Sequence, residues 1–131
     1  MTHDTIPPTP AQVSDLVCFL LGTQAQARLL HWHTTSYAQH VAFGGFYDAL
    51  SGLADSIVET LQGALGATAL IVDGQALILA NATAVNPAVW AQGFCARLCS
   101  LEVCFFTSDL QNLRDELLAA AHKLSYLLTL K

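Results

Sequence analysis

The sequence predicts an all-α fold: an antiparallel four-helix bundle with one long crossover between the second and third helices. Three observations carry this. Helix starts with capping residues stand at Thr9-Pro10, Asn86-Pro87 and Ser108. Apolar residues recur every three or four positions through each long segment. Between the second and third segments lies a stretch of roughly 23 residues, 63–85, of the kind that bundles with one crossover need.

Residues 1–8 read as a loose lead-in, because Pro7 and Pro8 resist regular structure. Thr9-Pro10-Ala11-Gln12 then offers an N-cap, a proline at the first helical position and a capping-box glutamine. The first helix is expected to run to about Tyr37. Val13, Leu16, Val17, Leu20, Gln24, Ala27 and His31 share one side of it, and Asp15, Gly22, Gln26 and His33 the other. Thr34-Thr35-Ser36 has weak helix propensity, so the second helix begins somewhere between Thr34 and Gly45. Its apolar stripe is Phe46, Leu50, Leu53, Ile57 and Leu61.

After Gly63 the pattern changes. Thr68–Val72, Asp73-Gly74 and Gln75–Leu79 read locally as a hairpin around a favoured two-residue turn, or else as a short helix. Asn86-Pro87 opens a third helix, expected to reach about Phe106 and to bury Trp90, Phe94, Leu98, Leu101 and Phe105. Ser108 with Gln111 forms another capping box, and the fourth helix is expected from Asp109 to near Thr129. Its stripe is Leu110, Leu113, Leu117, Ala120, Leu124 and Leu127.

Composition narrows the function classes. At 131 residues the chain reads as a single domain, 1–131. It is 53% hydrophobic and 11% charged, which leaves more apolar surface than a lone subunit of this size hides, so a homo-oligomer is expected. The longest charge-free run, Gly74 to Ala96, is broken by polar residues and prolines and does not make a membrane span. The first residues, MTHDTIPPTP, lack a signal-peptide pattern, so a cytoplasmic location is expected. Net charge is −5, and no Lys or Arg precedes Arg28, so DNA binding is not expected. Cys18, Cys95, Cys99 and Cys104 lack zinc spacing and read as reduced, buried small residues.

Groups able to do chemistry concentrate between Leu30 and Gln62, which holds His31, His33, His40, Asp48, Asp55 and Glu59. On an ideal helix the three carboxylates fall within about 40° of one another, opposite the apolar stripe. They form either a solvated acidic face or one half of a metal site completed by another copy. Gly44, Gly45, Ser51 and Gly52 share that face and would admit a close neighbour, and helical glycines at a cost of about 1 kcal/mol each ask for a reason. His31 and His33 point roughly 200° apart, so the HxH pair does not chelate one ion. His31 alone also fits a hydrogen-bonded histidine in an apolar seam, and Asp48 an ordinary surface acid.

His31-Trp32, His40, Asp55 and Glu59 together resemble the Dps-type miniferritins of the ferritin-like superfamily. The wording HWHTTSYAQH…GGFYDAL is similar to small Dps-like proteins encoded by phages. The resemblance covers about the first half of the chain. It implies a ferritin-like bundle in a closed twelve-subunit shell, with His31 and His40 from one subunit and Asp55 and Glu59 from its two-fold partner binding iron. Asp48 would be an entry or supporting carboxylate. The implied function is oxidation of Fe(II) by O2 or H2O2 and storage of the ferric product. Two departures stand out: the His31–His40 gap is about one helical turn short, and Gly44 stands where many members carry Asp. They favour the alternative, a ferritin-like helical assembly protein that has lost metal chemistry. A His-ligated haem or copper bundle has only the number of histidines in its favour. The intrachain Glu-x-x-His di-iron pattern is absent from the second half.

Overall fold

A computed structural model describes residues 6–66 and 72–130. Four helices make up most of it: α1 (Pro10–His33), α2 (Tyr37–Leu65), α3 (Pro87–Ser100) and α4 (Ser108–Leu127). Single 3-10 turns occupy Ala82–Ala84 and Glu102–Cys104. No strand occurs among the described residues, and no helix there is long and apolar enough to cross a membrane. The chain is an all-helical bundle.

Helix α1 begins with the expected box. Thr9 Oγ1 accepts from the Gln12 amide at 3.2 Å, while the Thr9 amide donates to Gln12 Oε1 at 2.8 Å. It stops at His33, short of the expected Tyr37, because small hydroxyl side chains compete for the backbone there. Thr34 Oγ1 accepts from the Ser36 amide and donates to Gln39 Oε1, and Ser36 Oγ caps α2 by accepting from the Gln39 amide. From that corner α2 runs unbroken through Gly44, Gly45 and Gly52.

Helix α3 starts at its Asn86 cap as expected but ends at Ser100, not Phe106. Leu101 leaves the helix at φ −96°, ψ 20°, and the 3-10 turn that follows lets Leu101, Cys104 and Phe105 all bury. Cys104 Sγ donates to the Gln12 carbonyl at 3.4 Å, which fixes this end against the start of α1. The cap of α4 is Thr107 rather than Ser108, and no side-chain capping bond is made. Gln111, expected to complete a box, donates instead to the Phe105 carbonyl at 3.1 Å.

The core lies where the helix stripes meet. Val13, Leu16, Val17, Leu20 and Ala27 bury from α1, Phe46, Leu50, Ile57 and Leu61 from α2, and Leu110, Leu117 and Leu124 from α4. Leu53, Leu113, Ala120 and Leu127 pack against it half-buried, and the sequence stripes passed over Leu30, Phe43 and Ala121. Trp90 meets Phe43 and Phe46 edge-on at 5.9 and 6.0 Å, and Phe94 stacks on Phe19 at 5.2 Å. The helices pack in the order α1 on α2, α2 on α4 and α4 on α3, which leaves α1 and α3 with little backbone contact. The Phe19–Phe94 stack spans that side.

The connection between α2 and α3 overturns the hairpin reading. Residues 68–71 lie outside the described residues, and 72–80 form neither strand nor helix, with Gly74 at φ 64° the one left-handed position among them. The segment follows α1 instead. Gln26 Oε1 accepts from the Ala80 amide at 2.7 Å, and Gln26 Nε2 donates to the Ala80 carbonyl at 3.1 Å. For the same reason Gln26, placed on the outer side of α1 by periodicity, is buried: the connection covers it.

Candidate functional site

The α1–α2 corner turns within three residues, so the last turn of α1 lies beside the first turns of α2. This brings His31 and His40 together with their rings stacked, centroids 3.9 Å apart and planes 17° from parallel. His31 Nδ1 lies 2.7 Å from the His40 carbonyl, and His40 Nδ1 lies 2.8 Å from the His31 carbonyl. A carbonyl oxygen only accepts, so both Nδ1 atoms carry hydrogen. In the neutral rings both Nε2 atoms are then left with a lone pair. The His31 carbonyl is also one of the final carbonyls of α1 that no helical amide can reach, so the pair closes the corner as well.

Gly44 belongs to this arrangement. A Cβ there would stand 3.0 Å from His31 Cε1 and 3.2 Å from His31 Nδ1. Glycine at 44 makes room for the stacked ring, and an Asp at that position would collide with it. The neighbouring Gly45 and Gly52 have nothing within 4 Å of an added Cβ.

The carboxylates stand apart from the histidines. Asp48, Asp55 and Glu59 are all exposed on α2. Asp55 lies fifteen residues along the helix from His40, about 22 Å, and Glu59 about 28 Å. Within one chain His31 and His40 are brought together, and Asp55 and Glu59 are not brought to them. Among the described residues no three His, Cys, Asp or Glu side chains gather around a common point. His33 and Trp32 are exposed, Trp32 at 64%.

A feature that sequence reasoning missed lies next to the corner. The Arg28 guanidinium stacks on the Tyr47 ring, 3.9 Å from its centroid, and lies 5.5 Å from that of Trp32. Arg28, then Ser51, holds the Tyr47 phenol below the ordinary tyrosine range. The isolation of Arg28, with no other Lys or Arg before Arg97, was the available signal. Arg114 is paired with Asp115 of its own helix at 3.1 Å. The cysteines also divide: Cys104 is buried, Cys18 and Cys95 are half-buried, and Cys99 is exposed because α3 turns it outward. Burial pushes the Cys104 thiol up to about 11, with the Asp15 charge adding to it.

A sequence model of one protein family matches residues 31–128, which contain the histidine pair and all three α2 carboxylates. The chain belongs to DUF5856, a family of unknown function. No curated protein and no solved structure matches it. Membership of DUF5856 therefore adds no activity to what the corner and the acidic face of α2 suggest by themselves.

Proposed function

We propose that this DUF5856 chain is a ferritin-like, Dps-type iron-oxidising and iron-sequestering homo-oligomer whose iron sites lie between two-fold related copies. One observation carries the reading: His31 and His40 spend both Nδ1 hydrogens on backbone carbonyls and keep both Nε2 lone pairs. Histidines that bind metal are commonly oriented in this way, the second ring nitrogen donating to a carbonyl. The exposed Asp55 and Glu59 supply hard oxygen donors, and imidazole with carboxylate suits Fe(II). Since they stand far from the histidines of their own chain, a partner running the opposite way along α2 is what brings the two halves together. The small Gly45 and Gly52, where an added Cβ would meet nothing within 4 Å, suit such an approach.

In this reading the four helices have ferritin-like topology, with the segment 66–86 as the crossover. Fe(II) is substrate. Each ion gives up one electron, and a peroxide takes two electrons and two protons to become two waters. The carboxylates favour the ferric product by charge. His31 and His40 remain neutral ligands held by their carbonyl bonds, and Asp48 lies one to two turns from Asp55 as an entry carboxylate.

The second reading is a helical assembly protein without metal chemistry, in which the histidine pair only staples α1 to α2. The closeness of the stack and its service to the His31 carbonyl favour it. Iron oxidation followed by absorbance, with light scattering on the same samples, separates the two. Glu59→Gln and Asp55→Asn are expected to lower Fe(II) oxidation at least tenfold with the oligomer intact, whereas His33→Gln is expected to change it little. Wild-type rates in both carboxylate variants, or a stable monomer near 14.0 kDa, would leave the assembly reading or neither.

A further inference from the structure

The side of the bundle between α1 and α3 holds a cleft that takes no part in the iron reading. Since α1 and α3 have little backbone contact, a cleft of about 560 Å³ opens between them, partly roofed by Ala76, Leu77 and Ile78 of the connection. That size lies within the range of small-molecule sites. Its floor is thin at Gly22, where an added Cβ would meet only Leu77, at 3.9 Å. Phe19 and Trp90 supply aromatic faces.

Polar groups stand at two levels along it. Thr23 lines the cleft at the Trp90 end, where it is only 8% exposed and brings a hydroxyl beside the aromatic faces. Eight residues earlier on α1, about 12 Å along the axis, comes Asp15. Arg97 lines the same cleft seven residues beyond Trp90 on α3. Cys104 bonds Gln12 and Phe94 stacks on Phe19, so α3 runs opposite to α1 and Arg97 falls at the Asp15 end. These two charges make no ion pair within 4 Å, and among the described residues Arg97 donates only to Ser100 Oγ, at 3.2 Å. One end of the cleft is therefore aromatic with a single hydroxyl, and the other offers one negative and one positive group.

We propose that this cleft binds a free aromatic amino acid whose ring carries a polar atom, with tyrosine as the type. The ring lies between Phe19 and Trp90 with its hydroxyl on Thr23. The ammonium faces Asp15 and the carboxylate faces Arg97.

Isothermal titration of the full chain tests this with L-tyrosine, L-phenylalanine, tyramine and 3-(4-hydroxyphenyl)propionate as probes. L-tyrosine is expected to bind saturably, tighter than about 1 mM. The two single-charge analogues should each bind several-fold more weakly. Thr23→Val should weaken tyrosine by about 2–12-fold, the worth of one hydrogen bond, and leave phenylalanine unchanged. Arg97→Gln, at an exposed position, should weaken tyrosine and the propionate but not tyramine. Gly22→Leu should abolish binding with the helical circular dichroism retained. No saturable tyrosine binding up to about 1 mM would overturn the proposal. So would tyramine binding as tightly as tyrosine, or wild-type affinity in both Thr23→Val and Arg97→Gln. Iron oxidation is not a readout in any arm.

Discussion

Replacing Gly44 by Ala tests whether the histidine pair is a built feature. In an unconstrained helix Gly→Ala stabilises by about 1 kcal/mol. At Gly45, where an added Cβ meets nothing within 4 Å, that full gain is expected. At Gly44 the Cβ would press on His31 at 3.0 Å, and the ring has little freedom to retreat. It is stacked on His40 at 3.9 Å and tied to the His40 carbonyl at 2.7 Å. Displacing it sacrifices one or both carbonyl bonds, each worth about 1 kcal/mol net. Gly44→Ala is therefore expected to be neutral or destabilising by about 1 kcal/mol, and to lie about 1–2 kcal/mol below Gly45→Ala. Urea unfolding measures the gap. Long-range proton–nitrogen NMR of the imidazoles gives a second readout: both rings should show hydrogen on Nδ1 in the native protein, and His31 should lose that signature in Gly44→Ala. Equal stabilisation by the two alanines, with the Nδ1 signals unmoved, would refute the reasoning.

Further outcomes follow from the charged and thiol groups. The Tyr47 phenol should titrate below the usual value of about 10 in ultraviolet difference spectra, and Arg28→Gln should move it upward. Cys99 should react quickly with a disulfide reagent at neutral pH, whereas Cys104, buried and with its thiol pushed up to about 11, should react only as the protein opens. Between about pH 8.5 and pH 11 the unfolded Cys104 thiol loses its proton and the folded one keeps it, so stability should fall as pH rises through that window. Urea midpoints across it check the sign, and Cys104→Ala should flatten the slope. At net charge −5 the protein should not shift duplex DNA at physiological salt, and a salt-sensitive shift would contradict this.

Helix positions and most of the core were readable because they follow from short-range rules. Thr9 with Gln12 and Asn86 with Pro87 start helices through contacts within three residues, and the stripes need only the helical period. Errors gather where distant segments decide. Gln26 looks solvent-facing until the connection lies over it, and α3 shortens because Cys104 finds the Gln12 carbonyl 92 positions away. Ser108 lies inside α4 with Thr107 in the cap position, and the Gln111 carboxamide nitrogen donates to the Phe105 carbonyl, six positions back. In the candidate site, the acidic row on the outer face of α2 was a matter of periodicity, and all three acids are exposed. The stacking of His31 on His40 was not readable, because it depends on where Thr34–Ser36 break the helix. The purpose of Gly44 followed only from that stack.

The Gln26 carboxamide presents to Ala80 what a neighbouring strand would present: one acceptor and one donor, side by side. Because it holds the peptide of residue 80 and not its side chain, the clasp excludes only proline there, which has no amide hydrogen to donate. It also sets the start of α3 independently of the path taken before it, since only Asn81 to Asn86 separate the clasp from the helix. Insertions or deletions between Gly66 and Leu79 can thus accumulate in descendants of this chain without moving Trp90 or the bundle it packs on. The same change placed between Ala80 and Asn86 would shift α3 bodily.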